Sequence, residues 1–387
     1  MTAWLRGLSA FPLTPLRGGG VDQAALEGIV DLLAEAAVDS IGVLGSTGAY
    51  PYLTREQRRR VVEIATRRSG DLPVLAGIGH CATDEVLALA EDAQRAGADA
   101  VLLAPVTYQG LTDDEVVGLY EDVARELSVP LVVYDNPSTT HVHLSLEVYA
   151  RITALPQVAA VKIPPVPADP AKARERVAAV RAVVPERVRI GVSGDAVGAT
   201  GLLAGCDLWF SALAGALPGP PLAISRAARA GRAQEALEHS ARLQGLWDLF
   251  AECGGSLRVV AEVSRQLGLV REPVLPRPCA RWLMPSRNAS LRCWPRSSGE
   301  PRTVVHSSAA TSASRSRSNT WREASNPRTA NRCRARSFFG RTNGSRRHMQ
   351  VVRSTTSCLG IPKRDTRRGG VVAVPLGPFP CIGTCLG

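Results

Sequence analysis

Short apolar runs alternate with amphipathic stretches along the chain from Leu8 onward. The runs predict strands at Leu8–Pro12, Ser40–Leu44, Pro73–Gly77, Ala100–Leu103, Pro130–Tyr134, Val158–Lys162, Arg189–Val192 and Asp207–Ser211. Runs this short and this continuously apolar suit parallel strands covered on both faces. Between them, apolar positions recur at helical spacing and predict helices over Asp22–Ala37, Arg55–Arg68, Thr83–Ala96, Asp113–Leu127, Leu146–Ile152 and Ala171–Val183. Thr54, Thr83 and Thr112 each stand just ahead of an acidic first turn, as helix-capping residues do. Strand starts recur about every 30 residues, the length of one βα unit. Eight such units in about 210 residues predict a (β/α)8 TIM barrel rather than a doubly wound open sheet, which usually has fewer strands. The glycines of Thr14-Pro-Leu-Arg-Gly-Gly-Gly20 lack the GxGxxG spacing of a phosphate loop and read as a flexible turn.

Pro221–Ala230 closes the eighth unit, and Ala233–Cys253 and Ser256–Leu267 read as two extra helices beyond the barrel. The expected organisation is a barrel over 1–230, a helical extension over 231–278 and a tail over 279–387. The tail is rich in Arg and Ser and has no sustained period of 2 or 3.6. Beyond position 280 it holds 20 of the 46 basic residues against Glu300, Glu323 and Asp365, leaving 26 basic and 32 acidic residues before it. The strong positive charge therefore belongs to the tail, and the barrel region is mildly acidic. Two readings of the tail compete: a disordered basic segment that neutralises nucleic-acid phosphates, or an out-of-frame product of GC-rich coding DNA. Scattered Trp282, Trp294 and Trp321 and six of the nine cysteines favour the second, and no nucleic-acid-binding motif supports the first. No cysteine pair has CxxC spacing, so neither a zinc site nor a thioredoxin-type motif is signalled. With no signal-peptide pattern and no run of 18 apolar residues, the expected location is the reducing cytoplasm.

Candidate chemistry gathers at strand ends, because all eight parallel strands point their C-termini to one face, where such barrels carry active sites. Lys162 ends the sixth strand and is one of only three lysines in the chain, the others being Lys172 and Lys363. A chain that otherwise uses arginine for its positive charge keeps a lysine at the end of a buried strand. A desolvated lysine can lose its proton and attack a carbonyl, which arginine cannot do; a strand-end lysine can also serve only in a salt bridge. Tyr134 ends the fifth strand, as a proton donor or as a core residue with a wet tip. Gly45-Ser46-Thr47-Gly48 follows the second strand as an ordinary tight turn or as a loop offering hydroxyl and backbone donors to a carboxylate. Asp195, in Ser193-Gly-Asp195 after the seventh strand, can face the site or cap the following helix.

Leu44-Gly-Ser-Thr-Gly48, Val133-Tyr134-Asp135-Asn136-Pro137 and Val161-Lys162 resemble, in order and spacing, the Gly-Thr-Thr-Gly loop, Tyr-Asn-x-Pro motif and lysine of the dihydrodipicolinate synthase/N-acetylneuraminate lyase family. Leu75-Ala-Gly-Ile-Gly79 and Ser193-Gly-Asp195 support the match, which runs from about Leu8 to Pro278. The resemblance implies a class I aldolase in which Lys162 forms an imine with pyruvate or another 2-oxo acid. It implies that Tyr134 shuttles protons, and that Ser46 and Thr47 orient the tyrosine and grip the substrate carboxylate with the loop glycines Gly45 and Gly48. No metal or diffusible cofactor is implied, and the expected assembly is a homo-oligomer, usually a tetramer.

The departures lie on the side of the second substrate. Ala49 stands where the family loop continues with Glu, and Thr139 where synthases carry the arginine that holds the aldehyde's carboxylate. Pro105-Val-Thr-Tyr108 replaces a pair of tyrosines, with Tyr108 as the stand-in. Thr139 and Asp195 are the candidate polar contacts to a second substrate, an aldehyde. The alternatives are a 2-keto-3-deoxy sugar acid aldolase or dehydratase and a non-catalytic ligand-binding barrel.

Overall fold

A computed structural model describes residues 2–271 and 274–279. The tail reading lies outside the described residues. Eight parallel strands, β1 (Gly7–Ala10), β2 (Ser40–Val43), β3 (Val74–Gly77), β4 (Ala100–Leu103), β5 (Leu131–Tyr134), β6 (Val158–Ile163), β7 (Arg189–Val192) and β8 (Leu208–Ser211), close into a barrel in which β1 pairs with both β2 and β8. Helices α1 (Gln23–Glu35), α2 (Arg55–Arg68), α3 (Thr83–Arg95), α4 (Asp113–Arg125), α5 (Leu146–Thr153), α6 (Pro170–Val183), α7 (Gly198–Leu203) and α8 (Gly219–Arg229) follow the strands one by one. The fold is the expected (β/α)8 TIM barrel, with α9 (Ala233–Ala241), α10 (Gln244–Glu252) and α11 (Ser256–Gln266) beyond it.

Alternation along the strands sorts side chains into two apolar layers. Val74 and Ala76, Val101 and Leu103, Leu131 and Val133, and Val161 and Ile163 belong to the large cluster between barrel and helices. Leu75, Leu102, Val132, Tyr134, Leu208 and Phe210 belong to a smaller cluster that fills the barrel. With Val161 and Ile163 facing the helices, period-two geometry turns Lys162 inward. Full burial of each such aliphatic side chain contributes roughly 1.5–3 kcal/mol, so both layers hold the strands that carry the site.

Helix starts follow local chemistry. Thr54 and Thr112 cap α2 and α4 with reciprocal capping boxes to Gln57 and Glu115. Thr83 does not cap α3; it is the first helical residue behind Ala82, which supplies no side-chain cap. The glycine-rich turn is also ordered. Leu16–Arg17 pairs with Gly20–Val21 across Gly18 and Gly19, both at positive φ (59° and 83°), as a two-residue hairpin loop requires. The Gln57 amide donates to the Gly19 carbonyl at 2.7 Å.

Two further differences lie late in the chain. The stretch Ala233–Cys253 is two helices broken at Arg242–Leu243, and α7 has no counterpart among the expected helices. Its sequence, with Gly198 and Gly201, has poor helix propensity. Tertiary packing demands those glycines: a Cβ at Gly198 would come within 2.3 Å of the Trp209 ring, and one at Gly201 within 2.6 Å of Val192. Helices α10 and α11 pack on the turns Asp195–Val197 and Leu213–Gly215, bracing the loops after β7 and β8.

Candidate active site

The register between β5 and β6 sets Tyr134 directly opposite Lys162. Both point into the barrel, and the Lys162 Nζ lies 3.9 Å from the centroid of the Tyr134 ring. The ring centroids of Phe11 and Phe210 are 4.1 and 5.3 Å from the same nitrogen, and these two rings meet edge to face at 5.7 Å. Glycines make room for them. A Cβ on Gly42 or Gly45 would come within 2.3 or 2.5 Å of the Phe11 ring, and one on Gly191, paired with Lys162, within 2.2 Å of Phe210.

This aromatic cage excludes water from the amine. Lys162 is 5% exposed, and burial lowers its pKa to about 7, with the Asp195 charge pulling the other way. A large share of the amine is therefore neutral at physiological pH, as a nucleophile must be. Asp195 is buried as well. Desolvation raises its pKa to about 6, opposed by hydrogen bonds from Leu213 N–H, the Ser211 hydroxyl and Ala212 N–H and by the charge of Lys162. Its Oδ2 accepts from the Leu213 N–H at 2.8 Å, so it ties down the turn after β8 rather than capping the helix that follows it. Its Oδ1 is buried without a hydrogen-bond partner among the described residues.

The Tyr134 hydroxyl lies 3.2 Å from the Ser46 Oγ and accepts a hydrogen bond from the Asn136 Nδ2 at 3.0 Å. Burial raises the pKa of the phenol, while the bonds to Ser46 and Asn136 lower it. Ser46 is held by a loop bent at both ends, with Leu44 (φ 59°) and Ala49 (φ 54°) in the left-handed region. For a side chain other than glycine this conformation costs about 1 kcal/mol or more. The glycines within the loop serve packing instead: Gly45 lies against Phe11, and a Cβ on Gly48 would come within 3.0 Å of the Leu44 backbone. Thr47 is buried in the same loop.

Lys162, Tyr134, Ser46 and Asp195 thus gather at one end of the barrel. Thr139 reaches them indirectly, accepting a 2.6 Å hydrogen bond from Asn136, while its side chain remains exposed. Tyr108 is not brought in. Its side chain is 91% exposed on the loop after β4, reaching away from this chain as a tyrosine directed at a neighbouring subunit would. Asn136, Phe11 and Phe210 were not among the site residues expected from sequence. Asn136 lies inside a motif whose spacing marks it as a variable position, and the two phenylalanines read as ordinary strand residues. Behind Tyr134, Asp135 accepts a 2.5 Å hydrogen bond from the Tyr149 hydroxyl, and burial raises its pKa while that bond lowers it.

The site is thus a buried lysine, ringed by Tyr134, Phe11 and Phe210, beside a hydrogen-bonded tyrosine inside a closed (β/α)8 barrel. The sequence profile of the dihydrodipicolinate synthetase family matches residues 4–288, and the chain belongs to that family. A crystal structure of dihydrodipicolinate synthase from Agrobacterium tumefaciens is 42% identical, with a TM-score of 0.72 over 76% of this chain and 98% of that one. The Aquifex aeolicus dihydrodipicolinate synthase structure, 24% identical with a TM-score of 0.67 over 74% and 95% of the two chains, shares the fold. The 4-hydroxy-tetrahydrodipicolinate synthase of Nitrobacter hamburgensis is 35% identical over 41% of this chain and 53% of its own. The chain thus spans about half the length of such curated relatives. No helix among the described residues is long and apolar enough to cross a membrane.

Proposed function

We propose that the protein is a Schiff-base lyase or synthase of the class I aldolase type. Lys162 attacks the carbonyl of pyruvate or another 2-oxo acid, and the protonated imine then serves as an electron sink. Loss of a C3 proton gives an enamine that adds to an aldehyde; run backwards, the imine accepts the electrons of a breaking C–C bond. The observation that carries this reading is the caged Lys162 amine, with a pKa near 7, lying 3.9 Å from the Tyr134 ring. Tyr134 donates and recovers the protons of imine formation, and Ser46 orients its hydroxyl. The loop Gly45–Gly48, with Thr47, faces the substrate carboxylate. A cytoplasmic homotetramer is the corresponding assembly, on the family pattern.

A second reading concerns the partner of the 2-oxo acid. Thr139 offers a hydroxyl where a cation would hold a carboxylate, and Asp195 Oδ1 is a buried acceptor without a partner. Both features suit a hydroxylated chain, as in a 2-keto-3-deoxy sugar acid, better than an aldehyde bearing its own carboxylate. Borohydride reduction with pyruvate tests the core claim. Wild type is expected to gain the mass of a reduced pyruvate adduct, and Lys162→Ala to gain none. An unmodified wild type sinks the reading. Steady-state assays with carboxylated aldehydes and with 2-keto-3-deoxy sugar acids then separate the two substrate classes.

A further inference from the structure

We infer that Asn136 is a positioning residue for the proton transfers of Tyr134: its amide N–H fixes the phenol oxygen as an acceptor and stabilises the phenolate left when the proton departs. The inference rests on the Schiff-base reading above. Asn136 occupies the variable position between Asp135 and Pro137, so the motif itself assigns it no role.

Its geometry is tightly determined. The Asn136 backbone carbonyl accepts from the Thr139 and Thr140 N–H groups at 3.0 Å each and from the Thr140 hydroxyl at 3.0 Å. The Thr139 hydroxyl also donates to that carbonyl, at 3.3 Å, which uses its single hydrogen. In this orientation Thr139 Oγ1 accepts from the Asn136 amide nitrogen at 2.6 Å. The Ser138 hydroxyl donates to Oδ1 at 2.9 Å, in keeping with the same orientation. One amide hydrogen goes to Thr139. The other is directed at the hydroxyl pair, 3.0 Å from Tyr134 Oη and 3.4 Å from Ser46 Oγ.

The consequence is directional. With the amide hydrogen filling the acceptor side of the pair, one hydroxyl hydrogen lies between Ser46 and Tyr134 and the other is free for the substrate. In the carbinolamine on Lys162, the phenol proton passes to the hydroxyl, the C–O bond breaks and water leaves. The nitrogen lone pair forms the C=N bond, leaving a protonated imine and a phenolate. Two donors, the Ser46 O–H and the Asn136 N–H, then stabilise that phenolate in a buried site that otherwise disfavours it. The phenolate next takes a C3 proton; the C–H electrons form the enamine C=C and the C=N electrons return to nitrogen.

Pyruvate alone is enough for the test, because deuterium exchange into its methyl group requires only these steps. Exchange is followed by proton NMR in D2O, and imine content is measured by borohydride trapping at saturating pyruvate. The variants are Asn136→Leu and the isosteric Asn136→Asp, which guards against a packing defect. Both are expected to trap imine within roughly twofold of wild type while exchange falls roughly tenfold to a hundredfold, the worth of a hydrogen bond to a charged group. The pH of half-maximal exchange is expected to move upward in both. Exchange at the wild-type rate in both variants overturns the inference, and so does a loss of trapped imine that matches the loss of exchange. A wild type that traps no pyruvate overturns the Schiff-base reading itself, and this inference with it.

Discussion

Lys162 costs the fold stability in exchange for reactivity. Its native pKa of about 7 lies below that of an unfolded lysine, so between the two values the unfolded state binds the extra proton. Wild-type stability should therefore rise with pH from about 7 to about 10. Lys162→Met, which removes this titration, is expected to melt later than wild type at neutral pH by a few kcal/mol, with the gap closing as pH rises. Denaturant titrations at several pH values check this. Asp195 acts on the same group in the opposite sense. Its charge raises the lysine pKa, so Asp195→Asn should move the pH of half-maximal imine formation below that of wild type, as measured by borohydride trapping against pH. A profile that stays in place or moves upward contradicts the electrostatic coupling. The lysine and tyrosine were legible because rare residue types stood at strand ends. The cage was not, since Phe11 and Phe210 meet Lys162 only across the interior of the closed barrel, with β7 standing between β8 and β6.

At the level of elements, the two ends of the strands do different work. The C-terminal ends carry the site, whereas residues preceding the strands tie the other end together. Asp207 Oδ2 accepts from the Ile190 N–H at 2.8 Å and from Arg181 at 2.6 Å, and its Oδ1 accepts from Arg189 at 3.2 Å. Asp39 and Asp99 likewise accept from the Leu8 and Val74 N–H groups, both at 2.8 Å. Asp207→Ala should destabilise by roughly 1–3 kcal/mol, because it strands the Ile190 N–H, and leave the pyruvate exchange rate unchanged. Urea unfolding and the NMR exchange assay test the two halves of that statement. Gly191→Ala lies at the other extreme: a methyl 2.2 Å from Phe210 must displace the cage, so stability and imine formation should fall together. Strand and helix order was readable from apolar spacing to within a residue or two. Helix α7 was not, because its glycines answer to Trp209 and Val192 and no local preference marks them as helical.

For the whole molecule, every group gathered around Lys162 precedes α9, yet α10 and α11 pack on the turns that seat Asp195 and Leu213. A chain ending after Cys279 should trap pyruvate as the full chain does, whereas one ending after Gly231 should lose trapping or solubility. Mass spectrometry after borohydride reduction distinguishes these outcomes. What the chain specifies unaided is the barrel: eight buried runs at βα spacing admit few arrangements that cover every strand, and periodicity expresses that directly. The lysine, the tyrosine and the hydroxyl loop were likewise placed on one rim by topology alone. Tertiary structure decided the rest. It turned Asn136 onto the phenol and sent the Asp195 carboxylate to a neighbouring turn. Those outcomes depend on distances between segments far apart in the chain, which local spacing does not encode.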